Sequence, residues 1–294
     1  MGSASCRGEH RPGEPMSAYL RPATLDEAVS ILAHTPANIL SGGTDFFPSL
    51  GDQPPSEPIV DISAIREMKK ISSTSGEHRI GGLATWSEVI ASPLPPCFDA
   101  LKSAAREIGG VQIQNRGTIA GNLCHASPAA DSVPPLLALD AEVELVSKAG
   151  KRHVAVSQFI IGNRKTVRRP DEILTAIIVP RALDEAKSSF VKLGARRYLV
   201  ISIAMVAVAI KVDTSGLISD PRIAVGSCSA VARRLPELEC ALIGVPPQPG
   251  IGAVVQPKHL SPLSPIDDVR ATASYRRDAA ITLIARAIEA CVSS

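Results

Sequence analysis

A polar, glycine-spaced stretch at residues 112–131 carries the residue types best suited to holding a phosphorylated ligand. Gly117 and Gly121 have no side chain, so the backbone there can approach a ligand closely or adopt a positive φ at low steric cost. Thr118 and Asn122 add a hydroxyl and an amide group. Because exposed N–H groups in such a turn form a nest for phosphate oxygens, the stretch predicts an anion-binding loop.

An acidic residue closes this stretch. Asp131 stands just before the apolar run Pro134–Leu139, which predicts a helix opening near Ser132. A carboxylate at that point serves either as a helix N-cap or as a group that faces the ligand. A further helix is predicted before the loop, over residues 97–108.

A second candidate for phosphate binding lies at residues 38–47, which read NILSGGTDFF. The pattern predicts a short strand, a tight turn at Gly42 and Gly43, and the start of a helix. It matches neither Gly-x-Gly-x-x-Gly nor the Walker pattern. On its own, an ordinary strand-to-helix turn is the simpler interpretation.

Length and composition exclude several classes of function. The 294 residues suffice for two domains, and the net charge of +2 provides no basic field for nucleic acid. The longest apolar run, Leu199–Ile210, is shorter than the roughly 20 residues that a membrane-spanning helix needs, so it predicts a buried strand. Met1–Pro15 lacks the apolar core of a secretory signal and predicts a disordered extension, with Met16 as an alternative start.

The cysteines are scattered, which fits a protein of the reducing cytoplasm. No pair has the Cys-x-x-Cys spacing of a zinc site or a ferredoxin-type cluster. Cys124 and His125 are adjacent, but no third ligand follows at a usable spacing. A buried thiol and a loop histidine are therefore the favoured interpretation, and no metal site is predicted.

The N-terminal segments predict a small β-α-β unit. Tyr19–Pro22 reads as a short strand, and Thr24 is expected to cap a helix in a capping box with Glu27. Strands at Ile39–Leu40 and Pro58–Ile62 follow. A parallel pair joined by a crossover is expected.

The middle of the chain predicts a second sheet. A strand ends in the Gly81-Gly82 turn, and Thr85 caps the next helix with Glu88 as its partner. A hairpin at 141–156, a polar loop at 159–166 and a strand at 172–179 are expected after the central loop.

A charged linker at 181–188 predicts a domain boundary. Beyond it, residues 189–193, 199–210 and 217–227 predict three antiparallel strands. Helices are expected at 235–242 and 278–292.

In order and spacing, several motifs together resemble the FAD-binding medium subunit of molybdenum hydroxylases, the family of the carbon monoxide dehydrogenase medium chain and the xanthine dehydrogenase FAD domain. The resemblance covers nearly everything from Met16 onward, and Gly117–Asn122 with Ala126–Asp131 is its most specific part. The other motifs are the Gly42–Asp45 and Gly81–Thr85 turns, Asn163–Thr166 with Glu172–Leu174, Lys192–Arg197 and Asp267–Arg277.

The resemblance implies an α+β fold. It consists of a two-subdomain FAD-binding fold of the vanillyl-alcohol-oxidase (PCMH-type) kind and a C-terminal α+β domain with a three-stranded antiparallel sheet. The expected division is a disordered extension at 1–15, an FAD-binding domain at 16–182 and a C-terminal domain at 187–294. The FAD-binding domain divides further into a small β-α-β subdomain at 16–70 and a larger one at 71–182.

The resemblance also implies which residues contact FAD. The pyrophosphate and ribityl chain are expected on Ile39, Leu40, Ser41, Gly42, Gly43, Thr44, Asp45 and Phe46. The other side of the diphosphate and the flavin are expected on Gly117, Thr118, Ile119, Ala120, Gly121 and Asn122. Asp131 would accept a hydrogen bond from a ribose or ribityl hydroxyl, and Leu174 would pack on the adenine or flavin. Lys192 would lie near the isoalloxazine, although the residues alone favour a solvated strand end for it.

The implied function is electron transfer. Substrate would be hydroxylated on a large molybdopterin subunit, and electrons would pass through two [2Fe–2S] clusters of a small subunit to this FAD and on to an external acceptor. A dimer of heterotrimers and no catalytic acid or base in this chain are expected. The alternatives are a self-standing FAD-dependent oxidoreductase with its own small-molecule substrate and an assembly subunit that has lost FAD.

Overall fold

The computed structural model describes residues 18–292, so the predicted disordered extension at 1–15 lies outside the described residues. The strands are β1 Tyr19–Leu20, β2 Asn38–Leu40, β3 Ile59–Asp61, β4 Ile71–Ser73, β5 Glu77–Gly81, β6 Glu142–Ser147, β7 Gly150–Ala155, β8 Ile160–Gly162, β9 Lys165–Thr166, β10 Ile173–Pro180, β11 Lys187–Leu193, β12 Ala204–Val212, β13 Ile218–Gly226 and β14 Arg233–Arg234. The α-helices are α1 Leu25–Leu32, α2 Phe46–Leu50, α3 Trp86–Ala91, α4 Asp99–Glu107, α5 Val111–Gln114, α6 Ile119–His125, α7 Val133–Ala138, α8 Val156–Phe159, α9 Pro236–Leu242 and α10 Ala273–Val292. Helices and sheets thus alternate along the chain, as expected for a mixed α and β protein.

The first sheet is the predicted parallel unit, with strand order β1-β3-β2. Helix α1 covers it, burying Ala28, Val29 and Leu32. The predicted capping box is incomplete. Thr24 accepts a hydrogen bond from the Glu27 N–H at 3.2 Å, but the Glu27 carboxylate reaches the N–H of Ala23, not of Thr24.

The second sheet has the order β4-β5-β10-β6-β7 and is antiparallel throughout. Its central strand β10 is buried along nearly its whole length, as its continuous apolar sequence indicates. The capping box of Thr85 and Glu88 is complete at α3, and Trp86 is a core residue. The polar loop expected at 159–166 is instead a small hairpin of β8 and β9.

The stretch at 112–131 is not a loop, and this is the main correction to the expected fold. It contains α5 and α6, and neither Gly117 nor Gly121 has a positive φ. Helix α6 forms because Thr118 caps it by accepting from the Gly121 N–H at 3.1 Å. Two further N–H groups of its first turn donate to loop carbonyls outside the helix.

The third sheet has four strands rather than three, in the order β11-β12-β13-β14. Strand β12 begins at Ala204 instead of Leu199, because Leu199 takes a left-handed conformation with φ 51° that breaks the strand geometry. Helix α10 begins at Ala273, five residues before the predicted start at Asp278.

The buried apolar side chains of the described residues form three clusters, which centre on the first, second and third sheets. Helices α9 and α10 pack on the third sheet through Leu238, Leu283 and Ile284. Asp140 lies just before β6 of the second sheet and forms ion pairs with Arg222 of β13 and Arg234 of β14. It therefore connects the second sheet to the third. Between residues 18 and 292, no helix has the length and apolar character required to cross a membrane.

Candidate functional site

The two glycine-spaced segments face one shared trough of about 800 Å³. The turn between β2 and α2 forms one wall, and the start of α6 forms the other. The predicted residues that line the trough are Ile39, Leu40, Ser41, Gly42, Gly43, Thr44, Asp45, Phe46, Gly117, Thr118, Gly121, Asn122 and Asp131. A trough of this size and shape lies in the range of cofactor sites in proteins.

The two walls touch each other at glycines. A Cβ added at Gly42 would lie 2.1 Å from the Arg116 carbonyl oxygen, so no side chain fits there. A Cβ at Gly121 would meet the Thr118 hydroxyl at 2.9 Å and the Ser41 hydroxyl at 3.2 Å. The Ser41 and Thr118 hydroxyl oxygens are themselves 3.1 Å apart and share a hydrogen bond. Glycine is required here for close approach of the two backbones.

The first wall supplies free backbone donors. Gly43 has a φ of 77°, which turns the chain sharply at this point. Within residues 18–292, the N–H groups of Gly42, Gly43 and Thr44 have no protein acceptor. N–H groups left free in a turn of this kind suit the oxygens of a diphosphate.

Three backbone N–H groups at the start of α6 are already bound within the protein, so the second wall offers fewer backbone donors than the interpretation of the 112–131 stretch as a nest predicts. The N–H groups of Ile119 and Ala120 donate to the carbonyls of Ala84 and Gly82, and the Gly121 N–H is bound by the Thr118 hydroxyl. The glycines of this wall leave room for a ligand, and its side chains supply polar groups that can bind one. The Asn122 side-chain carbonyl accepts from the Ser132 hydroxyl at 2.6 Å, which leaves the amide nitrogen for a ligand.

Polar and charged side chains at the trough come from separate parts of the chain. His125 Nε2 lies 3.9 Å from Asp45 Oδ1 across the trough. Arg164, in a left-handed conformation with φ 54°, also lines it, and its guanidinium makes no ion pair with the part of the chain that the structure describes. An unpaired guanidinium beside free N–H groups favours an anionic ligand.

Asp131 is engaged by protein groups on both oxygens. Lys192 Nζ donates to Oδ2 at 2.6 Å, and the Ser202 hydroxyl donates to Oδ1 at 2.6 Å. The N-cap of α7 is Ser132, so Asp131 does not have the capping role considered for it. Burial raises the pKa of Asp131, while the Lys192 ammonium and the Ser202 hydroxyl act in the opposite direction.

Four of the predicted contact residues do not line the trough. Ile119, Ala120 and Leu174 point into the hydrophobic core, with at most 7% of each residue exposed. Lys192 lines an adjacent cavity instead and meets the trough only through its bond to Asp131. A residue of a motif need not face the ligand, because alternate residues of a helix or strand point away from it.

Several residues that line the trough were not predicted from the sequence. They are Asn38, Ser49, Trp86, Glu107, Ile108, Gly109, Ile113, Cys124, His125, Ser127, Ala129, Ala130, Arg164, Val200 and Ile201. About half of them lie within or beside the two glycine-spaced stretches, and the others, such as Trp86, Arg164 and Val200, come from elements remote in sequence that no local pattern marks. Burial raises the pKa of the Cys124 thiol to about 11, so this thiol stays protonated at neutral pH. In the described part of the chain, no group of three or more His, Cys, Asp or Glu side chains could hold a metal ion.

Comparison with known families assigns both halves of the chain. Residues 14–182 match the model described as the FAD binding domain in molybdopterin dehydrogenase. Residues 189–291 match the CO dehydrogenase flavoprotein C-terminal domain.

Individual proteins give the same result. The nicotinate dehydrogenase FAD-subunit of Eubacterium barkeri is 32% identical over 236 residues, covering 78% of this chain and 80% of the relative. A xanthine dehydrogenase FAD-binding subunit of Escherichia coli is 30% identical over 283 residues, covering 95% and 97%.

Solved structures agree with the fold. Carbon monoxide dehydrogenase from Hydrogenophaga pseudoflava superimposes with a TM-score of 0.84 at 27% identity, over 95% of this chain and 98% of that one. Reconstituted CO dehydrogenase from Oligotropha carboxidovorans gives a TM-score of 0.82 at 26% identity, over 97% and 99%.

The trough geometry fits a dinucleotide with a diphosphate, and the family of the chain uses one. The chain therefore belongs to the family of FAD-binding subunits of molybdopterin dehydrogenases and is the FAD-carrying component of an oxidoreductase.

Proposed function

We propose that this chain is the electron-transfer subunit of a heterotrimeric molybdopterin-dependent hydroxylase or dehydrogenase. It receives electrons from the [2Fe–2S] clusters of a small partner subunit and delivers them to an external acceptor, while substrate is hydroxylated on a large molybdenum subunit. The observation that carries the proposal is the shared trough, in which segments near residues 42 and 120 face each other. Bound FAD exchanges electrons singly or in pairs, which links one-electron clusters to a two-electron acceptor.

Different residues of the trough would bind different parts of FAD. The free N–H groups of Gly42, Gly43 and Thr44 would bind the diphosphate oxygens, and the Arg164 guanidinium would offset their charge. The Asn122 amide would bind a polar edge of the cofactor. Asp131, already holding Lys192 and Ser202, keeps spare lone pairs that can accept from a ribose or ribityl hydroxyl.

The remaining elements of the proposal follow the family. The part at 16–182 would be a two-subdomain fold of the vanillyl-alcohol-oxidase (PCMH-type) kind, with subdomains at 16–70 and 71–182, and 187–294 would be the second domain. The complex would be a cytoplasmic dimer of heterotrimers. No residue of this chain would serve as a catalytic acid or base, because the flavin exchanges electrons and the substrate reacts on another subunit.

A purified chain tests the proposal directly. We expect the full chain to carry about one FAD per polypeptide, to show flavin absorbance, and to oxidise no organic substrate alone. Added partner subunits with substrate should then bleach the flavin bands. Turnover of a small molecule by the isolated chain would instead identify a self-standing flavin oxidoreductase. A correctly folded chain that binds no added FAD would contradict the proposal.

A further inference from the structure

A second cavity, of about 470 Å³, adjoins the trough. It lies between helix α4 and the connection from β11 to β12, and we call it the arginine cavity. Its lining residues are Ser103, Glu107, Phe190, Lys192, Leu193, Gly194, Arg196, Arg197 and Val200. Glu107 and Val200 line both cavities, so a molecule in the arginine cavity would be next to the contents of the trough.

The charges of the arginine cavity do not cancel. Lys192 is neutralised by Asp131, at 2.6 Å. Arg196 and Arg197 form no ion pair with any described residue, so Glu107 is left as the acid opposite two guanidinium groups. The excess of positive charge favours an anion, and guanidinium groups bind carboxylate, sulfonate and phosphate oxygens in pairs.

One of the two guanidinium groups is fixed and the other has free donors. Arg196 donates from Nε and Nη2 to the Leu199 carbonyl, at 3.1 Å and 2.6 Å, which holds its position but leaves its charge uncompensated. Arg197 stacks on the Tyr198 ring, with Cζ 5.3 Å from the ring centroid. All of its N–H groups remain available to a ligand, because it donates no hydrogen bond to the described protein.

The opposite side of the cavity is apolar. Phe190 and Val200 supply apolar side chains to the lining, beside the two arginines, whereas the Leu193 side chain packs on the core of the third sheet. An aromatic ring bearing an anionic group would cover the apolar side chains and place its charge on the guanidinium groups. The combination selects an amphiphilic aromatic anion over a bare inorganic ion.

We propose that the arginine cavity is the site at which the external electron acceptor binds, and that this acceptor is a small quinonoid molecule with an anionic substituent. The assignment rests on the proposed electron-transfer function of the neighbouring trough. A quinonoid acceptor takes up two electrons and two protons and becomes the hydroquinone. The reduced flavin supplies the electrons, and the flavin and water supply the protons.

Equilibrium binding of a redox-inert probe tests the site without turnover. We would titrate naphthalene-2-sulfonate into the FAD-loaded chain by calorimetry and expect saturable binding of one probe per chain. Arg197→Gln should weaken it roughly tenfold, the size expected when one charge-assisted hydrogen-bonding group is lost. Glu107→Gln should strengthen binding, since it removes the opposing negative charge. Arg286→Gln, an exposed arginine on α10 outside both cavities, should leave binding unchanged.

The same variants should also change the rate at which the reduced chain passes electrons to an acceptor. Reoxidation of the reduced chain by 1,4-naphthoquinone-2-sulfonate should slow about tenfold in Arg197→Gln, whereas reoxidation by neutral 1,4-naphthoquinone should change little. Opposite effects of Arg197→Gln and Glu107→Gln on binding would support the site, because a general structural defect would not produce them. Absence of saturable binding, or equal binding by both variants, would overturn it. A chain without FAD would instead contradict the proposed function, so the two failures are distinguishable.

Discussion

Lys192 and Asp131 form a buried ion pair, with 2.6 Å between Nζ and Oδ2, and about 7% of each side chain is exposed. The pair connects strand β11 of the third sheet to the edge of the trough. It means that the positive charge expected beside the flavin is already balanced by a carboxylate. Removal of either partner therefore leaves a buried charge without its counterion, which costs several kcal/mol.

The first prediction concerns this pair. Lys192→Met should destabilise the chain by about 3 kcal/mol, as expected for breaking a buried pair. It should also lower the flavin reduction potential, because the loss of one positive charge disfavours the anionic reduced flavin. Urea unfolding and dye-equilibrated potentiometry measure the two effects. The double variant Lys192→Met with Asp131→Asn should recover most of the lost stability and most of the lost reduction potential. An unchanged reduction potential in Lys192→Met would rule out an electrostatic role for Lys192.

The second prediction is the pH dependence of that defect. Burial raises the pKa of Asp131, and Lys192 counteracts this, so the pKa rises further in Lys192→Met. An acid with a raised pKa in the folded state binds its proton more tightly there than in the unfolded chain. The fold is then penalised as the pH rises above the ordinary carboxyl value of about 4. The stability deficit of Lys192→Met relative to wild type should therefore be small near pH 4 and grow toward neutral pH. A deficit independent of pH would contradict this account.

The third prediction tests the contact between the two walls. Gly42→Ala places a methyl group 2.1 Å from the Arg116 carbonyl, so the walls must separate. FAD binding should weaken by roughly tenfold or more, in line with the 1–3 kcal/mol typical of overpacking. Gly76→Ala is the matched control, since a Cβ there meets nothing within 4 Å and no positive φ is required. Fluorescence titration of the flavin-free chain with FAD measures both variants, and equal affinities would show that the close approach is unnecessary.

The fourth prediction separates the N-cap role of the Thr118 hydroxyl from its hydrogen bond with the Ser41 hydroxyl. The Thr118 hydroxyl accepts from the Gly121 N–H and meets the Ser41 hydroxyl, both at 3.1 Å. Thr118→Val keeps the shape but removes the hydroxyl, and should cost about 1 kcal/mol in urea unfolding through the lost N-cap. Thr118→Ser should restore stability, because it retains the capping oxygen. Ser41→Ala leaves the cap intact, so it should bring no comparable loss of stability.

The fifth prediction concerns acid stability. Burial opposes ionisation of Glu144, but hydrogen bonds from Arg79, Thr175 and Lys151 outweigh it and hold the pKa far below the usual range. A group with a lowered folded pKa stabilises the fold above its unfolded value of about 4.3, and this stability is lost as the pH falls below that value. Glu144→Gln should therefore be about 2 kcal/mol less stable at pH 7 and lose less stability than wild type between pH 5 and pH 2. Parallel pH profiles for the two proteins would contradict the role of Glu144.

Local signals predicted the fold where they were complete within a few residues. The Thr85 capping box formed because Thr85 and Glu88 can each satisfy the other's backbone N–H without help from elsewhere. The parallel pairing of strands in the first sheet followed from the length of the crossover, whereas their order β1-β3-β2 was not predicted. Strand β14 was missed because its Arg233-Arg234 sequence has no apolar alternation and is defined only by pairing with β13.

The site was predictable along one wall and misjudged along the other. The turn at Gly42 and Gly43 keeps its donors because no neighbouring carbonyl reaches them. At α6, glycines indicated an open loop, but the carbonyls of Gly82 and Ala84 bind the helix's first N–H groups. These hydrogen bonds between α6 and the segment around Gly82 are tertiary contacts, which the local sequence does not reveal. The burial of Leu174 in the core was not predictable for a related reason, since a strand buried on both faces gives no sign of which face meets the ligand.

The contact between Gly42 and Arg116 has a consequence for how the cofactor is acquired. Since the walls already touch and share the hydrogen bond of Ser41 and Thr118, the recess is shaped before anything enters it. Little ordering entropy remains to be lost on binding, so affinity should be set at the moment of folding rather than by later closure. The yellow colour of bound flavin in a fresh preparation would then show that Ser41 and Thr118, which are 77 positions apart, had come together correctly. Flavin absorbance would therefore measure correct folding of the N-terminal half.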